Sequence, residues 1–278
     1  GSNLSGADFT NAVLAGADLS GARCPKAKFA GANIGRAVLK GTDLGGGLDM
    51  SGAVLAKSDL TGAKLNGADL SGSDLSECVF NDTDLSGVTA PRLIFISSDL
   101  KGVRCPGADL GKVIFIETDM AGVDFSRAKL AEAVFLTAKG QGASFKGADL
   151  ERMCAVKESD FERADFTGAK LDRANLRGTN LDACSFKTAS LNHADLSQCS
   201  IREGDLNQAT AKQARFEKTD MTGADLECIN LMQGSLRKAR FPGSDFRGAN
   251  LYEVDFEKSK GDRQTDFREA NLKKTRMT

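Results

Sequence analysis

The sequence has no tryptophan, one tyrosine (Tyr252), one histidine (His193) and four prolines in 278 residues. Each scarcity excludes something. A lone histidine cannot by itself supply a Ser-His-Asp triad or a histidine-based metal cluster. Without tryptophan, and with a single tyrosine, the chain lacks the stacking aromatics that a groove for single-stranded nucleic acid needs. No apolar run reaches 18 residues, so no transmembrane helix is predicted, and no signal peptide is visible. The 37 basic and 38 acidic side chains leave a formal charge of −1, neither a polycation nor a polyanion. No Cys-x-x-Cys pair occurs, and Gly45-Gly46-Gly47 lacks the strand, helix and lysine of a phosphate-binding loop. These absences leave no catalytic, cofactor-binding or metal-binding constellation, and the chain is read as non-enzymatic.

What is present is a pulse of five residues. Ala-Asp-Leu-x-x and its variants recur about fifty-five times. We call the large apolar position of each pentad the centre and number its neighbours from −2 to +2. All 16 phenylalanines fall on centres, from Phe9 to Phe267. Position −2 is small, as at Ala7, Ala63, Ala148 and Ala224, and −1 is usually Asp or Asn. Pro25, Pro91, Pro106 and Pro242 all occupy +1, and 21 of the 30 glycines occupy +2.

A period of five is neither helical (3.6) nor that of a continuous strand (2). It fits one short extended piece followed by a corner. In the extended piece −2 and the centre point inward together, and −1 points out. Proline at the first turn position and glycine at the second are what a tight turn with one positive φ requires. An unusual pentad returns every 20 residues: Leu-Ile-Phe-Ile at 93–96, Val-Ile-Phe-Ile at 113–116, Ala-Val-Phe-Leu at 133–136. Four pentads per coil follow. Coils stacked about 4.8 Å apart, about fourteen of them, give an expected rod on the order of 65 Å long.

The pattern, over residues 2–277, resembles the pentapeptide-repeat family with its tandem A(D/N)LXX motifs. The resemblance implies an all-β fold, a right-handed quadrilateral parallel β-helix. It also implies two functional readings. Some members resemble a DNA duplex in width and charge, bind type II topoisomerases such as gyrase and protect them from quinolones. That mimicry needs a strongly acidic rod, and such members tend to dimerise through a C-terminal helix. This chain is near neutral and ends in pentads. Other members are repeat domains of bacterial effectors and secretion-associated proteins, in which the solenoid follows another domain.

The period places Cys24 and Cys105 at centres and Cys78, Cys154, Cys184 and Cys199 at −2, where six buried structural thiols are expected, with Cys228 exposed at +2. Free thiols fit a reducing bacterial cytoplasm; secretion by a non-classical route remains compatible. Gly1-Ser2 reads as a tag remnant. Residues 3–278 read as one repeat domain belonging to a longer protein, because no cap hides the first coil edge. Register slips are expected near 45–49, 151–153 and 257–262. In the last of these Lys260 would point inward and Asp262 would occupy a centre, so a surface loop is expected there. Gly140 and Ala90 leave centres nearly empty, so larger neighbours such as Leu93 or a local distortion must compensate.

One surface feature breaks the polar rule. Positions −1 and +1 of the three pentads spaced by 20 hold Ile94, Ile96, Ile114, Ile116, Val134 and Leu136, with Val54 further along the same predicted face. Six such aliphatics reach the few hundred Å² at which a patch marks binding. The expected occupant is a protein partner, an absent domain of the same chain, or a second copy; neither nucleic acid nor membrane insertion is expected. Beyond them Lys157, Arg177, Arg215, Lys218, Arg237, Lys238 and Lys258 alternate with Glu158, Glu217 and Glu257, which reads as a solvated mixed-charge face. His193 reads as an ordinary exposed histidine.

Overall fold

The computed structural model describes residues 1–156 and 158–277. Contacts gather the chain into two compact units, Gly1–Val134 and Phe135–Thr278. Among the described residues there are four three-residue strands: β1 (Ile94–Ile96), β2 (Ile114–Ile116), β3 (Val134–Leu136) and β4 (Cys154–Val156). Elsewhere in the described residues each pentad contributes a single-residue parallel bridge.

In the first unit the bridges join residues 20 apart, such as Asn3↔Arg23, Asp8↔Lys28, Val13↔Asn33 and Asp18↔Val38. Four pentads therefore close one coil, and the unit is a four-sided parallel β-helix. β1 and β2 continue the rule with Ile94↔Ile114 and Phe95↔Phe115 in register. Two kinds of hydrogen bond run along the stack. A centre N–H donates to the −1 carbonyl of the next coil (Leu4 to Arg23, 2.8 Å), and a −1 N–H donates to the −2 carbonyl of the previous one (Arg23 to Ser2, 2.9 Å). Corners close through a bond such as Ala7 N–H to Leu4 C=O, 3.1 Å. The +2 residue then takes positive φ, as in a type II turn. Glycine suits that position, yet Lys26 (φ 62°) and Arg36 (φ 58°) also occupy it, at a cost of about 1–2 kcal/mol each. The repeated ladder offsets that cost.

The interior is the stack of centres with small −2 residues beside them. Phe95 and Phe115 stack with ring centroids 5.2 Å apart and planes 4° apart. Where −2 carries a hydroxyl or thiol, it donates to a centre carbonyl one coil back: Thr42 to Leu19 (2.8 Å), Thr83 to Leu60 (2.8 Å), Cys78 Sγ to Leu55 (3.0 Å). This satisfies a polar atom that burial would otherwise penalise. Ala90 is a buried small centre, and Leu93, at a normally small −2 position, is buried to 7% exposure beside it. The first extra residue is taken up at Gly45–Gly47: Leu44 and Leu48 stay buried, Gly46 and Gly47 adopt φ 80° and 79°, and the bridges lengthen to 21, as in Asp43↔Lys64.

The second unit follows the same plan. Phe145, Phe166 and Phe186 stack at 4.9 Å spacing. Gly140 leaves a centre empty, and Phe161 fills it: a Cβ at Gly140 would lie 2.5 Å from the Phe161 ring. The second slip differs from the expected 151–153. Met153 and Ala155 are buried, Cys154 bridges Asn175, and Asp160 resumes the 20-residue spacing with Asn180. The extra residue is therefore absorbed between Val156 and Ser159. The small Ala155, rather than the larger Val156, is the centre, because Phe135 and Phe161 pack edge to face at 5.4 Å in the neighbouring interior. Cys154 accordingly sits at −1 and is half-buried rather than buried.

The 257–262 expectation also changes. Lys260 bridges Arg240 and points outward at −1, Gly261 takes the centre against Phe241, and the extra residue lies in the corner Asp262–Gln264. Asp262 Oδ1 braces that corner by accepting from Gly243, Gln264 and Thr265 N–H groups.

Candidate functional site

The −1 position is outward, and its usual occupant has a local task. Asp or Asn there accepts from the N–H two residues on, as Asp8 does from Thr10 (3.0 Å) and Asp205 from Asn207 (2.9 Å). These Asx bonds brace the corner, so the carboxylate columns are structural. Aliphatic residues at −1 give up that brace.

In the first unit such residues gather, with further aliphatics at +1 beside them. Ile94 and Ile96 are 47% and 54% exposed, Val54 and Val79 39% and 44%. Ile114, Ile116 and Val134 are half-buried, as is Leu136 in the second unit. Val54 bridges Asp74 and Ile94 pairs with Ile114, and the 20-residue spacing sets the two pairs in one −1 column that Asp74 interrupts. The corners after β1 and β2 are bends rather than hydrogen-bonded turns. There Ser98 Oγ donates to Ile96 C=O (3.1 Å) and Thr118 Oγ1 to Ile116 C=O (3.2 Å).

Hollows flank the column on both sides. One of about 530 Å³ lies along the preceding corner, lined by Leu70, Ser73, Pro91, Arg92, Leu93 and Lys112. The other, about 450 Å³, lies around the following corner, lined by Val79, Asn81, Ile96, Ser97 and Asp99. Val79, like the 80% exposed Val13, is a residue that reading by matching pentads missed, because it lies in an otherwise ordinary repeat. Scanning every −1 position for aliphatics would have found it.

The second unit presents charge instead. Arg215 pairs with Asp195 (3.8 Å) and Glu217 (3.4 Å), and Arg237 with Asp255 (3.5 Å) and Glu257 (2.7 Å). Lys258 also pairs with Glu257 (3.6 Å). Lys157 lies outside the described residues. Arg202 grips Asp182 by two side-chain bonds. Burial raises the Asp182 carboxyl's pKa, but hydrogen bonds from Arg202 and Ser200 outweigh it and hold the group below its ordinary value.

Asp225, Glu227 and Asp245 bring carboxylate oxygens within 4.8 Å of one another. The Arg247 guanidinium bonds Glu227 (3.5 Å) and Asp245 (2.7 Å), so the cluster already holds a cation. His193 is exposed at φ 60° in a corner.

The thiols divide as expected apart from Cys154. Burial pushes Cys78 up to about 11 and Cys199 up to about 12, and raises Cys105 and Cys184 further. Such thiols are poor nucleophiles. Cys228 is exposed.

Comparison with known proteins points one way. Pentapeptide repeats match in eight copies, over residues 1–23, 7–46, 53–89, 94–130, 118–152, 159–198, 189–227 and 229–260. With the match comes the right-handed, four-sided winding expected of the coils. No curated protein matches the sequence. Among solved structures, HetL, a pentapeptide repeat protein involved in heterocyst differentiation regulation in the cyanobacterium Nostoc sp. strain PCC 7120, is 26% identical over 80% of this chain and 86% of its own, with a TM-score of 0.39. QnrB1, a plasmid-mediated fluoroquinolone resistance protein, is 22% identical over 64% and 84%, with a TM-score of 0.31. A pentapeptide repeat protein of the Arabidopsis thaliana thylakoid lumen is 27% identical over 45% and 68%, at 0.17.

Proposed function

Because the chain belongs to the pentapeptide-repeat family, whose coils carry function on their outer faces, we propose that it is a non-enzymatic scaffold that docks protein through the aliphatic column of the first unit. One observation carries the reading. In a chain with 27% charged residues, Ile94, Ile114 and Val134 stand at −1 in place of the braced Asp or Asn, and Ile96 and Ile116 stand beside them at +1. They expose uncharged surface of the size that marks binding, and Leu136 extends the same motif in sequence. The six residues are the proposed contact set. In the same reading the protein works in a reducing compartment such as the bacterial cytoplasm, or as the repeat part of a secretion-associated protein. Reduced, buried thiols support the former.

The gyrase-binding alternative draws no support from the charge: −1 overall is not the field of a DNA duplex.

The test is a paired capture from source-cell lysate. One bait is the native chain; the other carries Ile94→Lys, Ile114→Lys and Val134→Lys, with an unchanged circular dichroism spectrum. A protein held only by the native bait supports the column as the docking site. Equal capture by both baits ends that assignment, and a topoisomerase held by both would establish the alternative.

A further inference from the structure

The charges bordering the aliphatic column are not symmetric. Arg92 and Lys112 stand at +2 of the corner before it, with Glu132 next in line at the coil of Val134. At +2 of the corner after it stand Glu77, Ser97 and Glu117. Lys112 and Glu117 bound a single pentad, so one coil carries a cation on one edge, an anion on the other, and Ile114 and Ile116 between. The edges are only lightly engaged. Lys112 meets Glu132 at 3.4 Å with both side chains about half exposed, and Glu117 accepts from Ser97 Oγ at 3.3 Å.

We propose that the occupant of this column is a second copy of the chain, docked face to face as a parallel dimer with its twofold axis along the coil axis of the first unit. The inference rests on the docking reading above and adds the partner to it. The charges choose the geometry. A twofold axis along the column carries each edge onto the opposite edge at the same height. Lys112 then faces Glu117 of the second copy, and Glu117 faces its Lys112, with Ile114 against Ile114 between them. A twofold axis across the column at Ile114 would set Lys112 against its own image and Glu117 against its own, and like charges juxtaposed across an interface are strongly disfavoured. A self-complementary patch is what an isologous twofold interface requires. Asp74 closes the column on one side and would meet its own image, so the contact is confined to the coils of Ile94, Ile114 and Val134. That strip is smaller than the roughly 800 Å² per partner of a standard interface. The dimer is therefore weak, forming in the micromolar-to-millimolar range.

Sedimentation velocity on the full chain, from about 10 µM to about 1 mM, tests this, with circular dichroism to verify each fold. The native chain should show a concentration-dependent monomer–dimer equilibrium, lost in Ile114→Lys. Lys112→Glu should weaken it about tenfold by placing two anions together, and adding Glu117→Lys should restore it. Strengthening by Lys112→Glu alone would overturn the parallel geometry, since it would relieve a like-charge edge. A native chain monomeric throughout, or a dimer indifferent to Ile114→Lys, would overturn the second copy as occupant. If the chain is monomeric and yet loses a captured protein on Ile114→Lys, the dimer falls and the docking reading stands. If Ile114→Lys changes neither, both fall. Should Ile114→Lys misfold, Lys112→Glu, at an exposed corner, decides alone.

Discussion

The two units share an interior and differ outside. Both stack phenylalanines at about 5 Å and fill −2 with small residues. Outside, the first unit replaces braced polar residues by Val54, Val79 and Ile94, with Ile96 exposed beside them, whereas the second arranges Arg215, Arg237 and Arg247 among carboxylates. The pentad thus constrains what lies inside and leaves the outward side chain free. In the function proposed above the break in the outward rule is the docking site, and the ion-paired columns of the second unit are the background against which it is read.

The largest expected effect tests the shared half of that comparison. Phe115→Ala in the first unit and Phe161→Ala in the second each empty a fully buried centre. Each should cost about 3–5 kcal/mol in urea unfolding. A loss under about 1 kcal/mol at either site would show that the two interiors are not packed alike.

A smaller effect probes how the two units fill a deficient centre. Ala90 is flanked by the oversized −2 residue Leu93, whereas Gly140 is covered by the Phe161 ring. Gly140 is not at positive φ, so alanine there is free of backbone strain. Its Cβ would nevertheless stand 2.5 Å from Phe161 Cδ1. Gly140→Ala should therefore destabilise by about 1–3 kcal/mol, the cost of overpacking. Stabilisation instead would mean the ring moves freely and the centre is a true void.

Acid should separate the units next. The Asp182 carboxyl is held below its ordinary value, so its contribution is present above the unfolded carboxylate pKa and lost as pH falls through the folded one. The window is below about pH 4. Because Arg202 is largely exposed, the contribution is screened to about 1 kcal/mol or less. Asp182→Asn should lower stability at pH 7 and lower it less at pH 3. Equal losses at both pH values would show that shape, and not charge, ties these residues together.

How far all this was legible follows from what each residue is asked to do. The period, the inward centres and the turn columns could be read because every coil repeats the same demand. The slip after Leu150 was misread because Val156 is larger than Ala155. Size identifies a centre only when its neighbours are ordinary, and here Phe135 and Phe161 occupy the space a large centre would need. Around Lys260 the strict count points an ammonium inward, so the sequence already asks for a surface loop; the corner Asp262–Gln264 supplies the extra residue. The aliphatic column could be read from the 20-residue recurrence, whereas Val79, which joins the others around a corner and not along the chain, is legible only by scanning every −1 position.

The smallest effect is the sharpest test of the outer half of the comparison. Ile94 is 47% exposed, and replacing it removes little buried surface, so Ile94→Lys should change unfolding free energy by no more than about 0.5 kcal/mol. The same replacement should reduce binding of a hydrophobic dye to the native protein, because it breaks the exposed column at its most accessible strand. Arg237→Ala is the control in the second unit: it should leave dye binding unchanged, since that surface holds charge and not aliphatic area. Should Ile94→Lys cost several kcal/mol, the isoleucine would be part of the fold's stability and not a surface kept for a partner. The contrast between the units would then be one of packing alone.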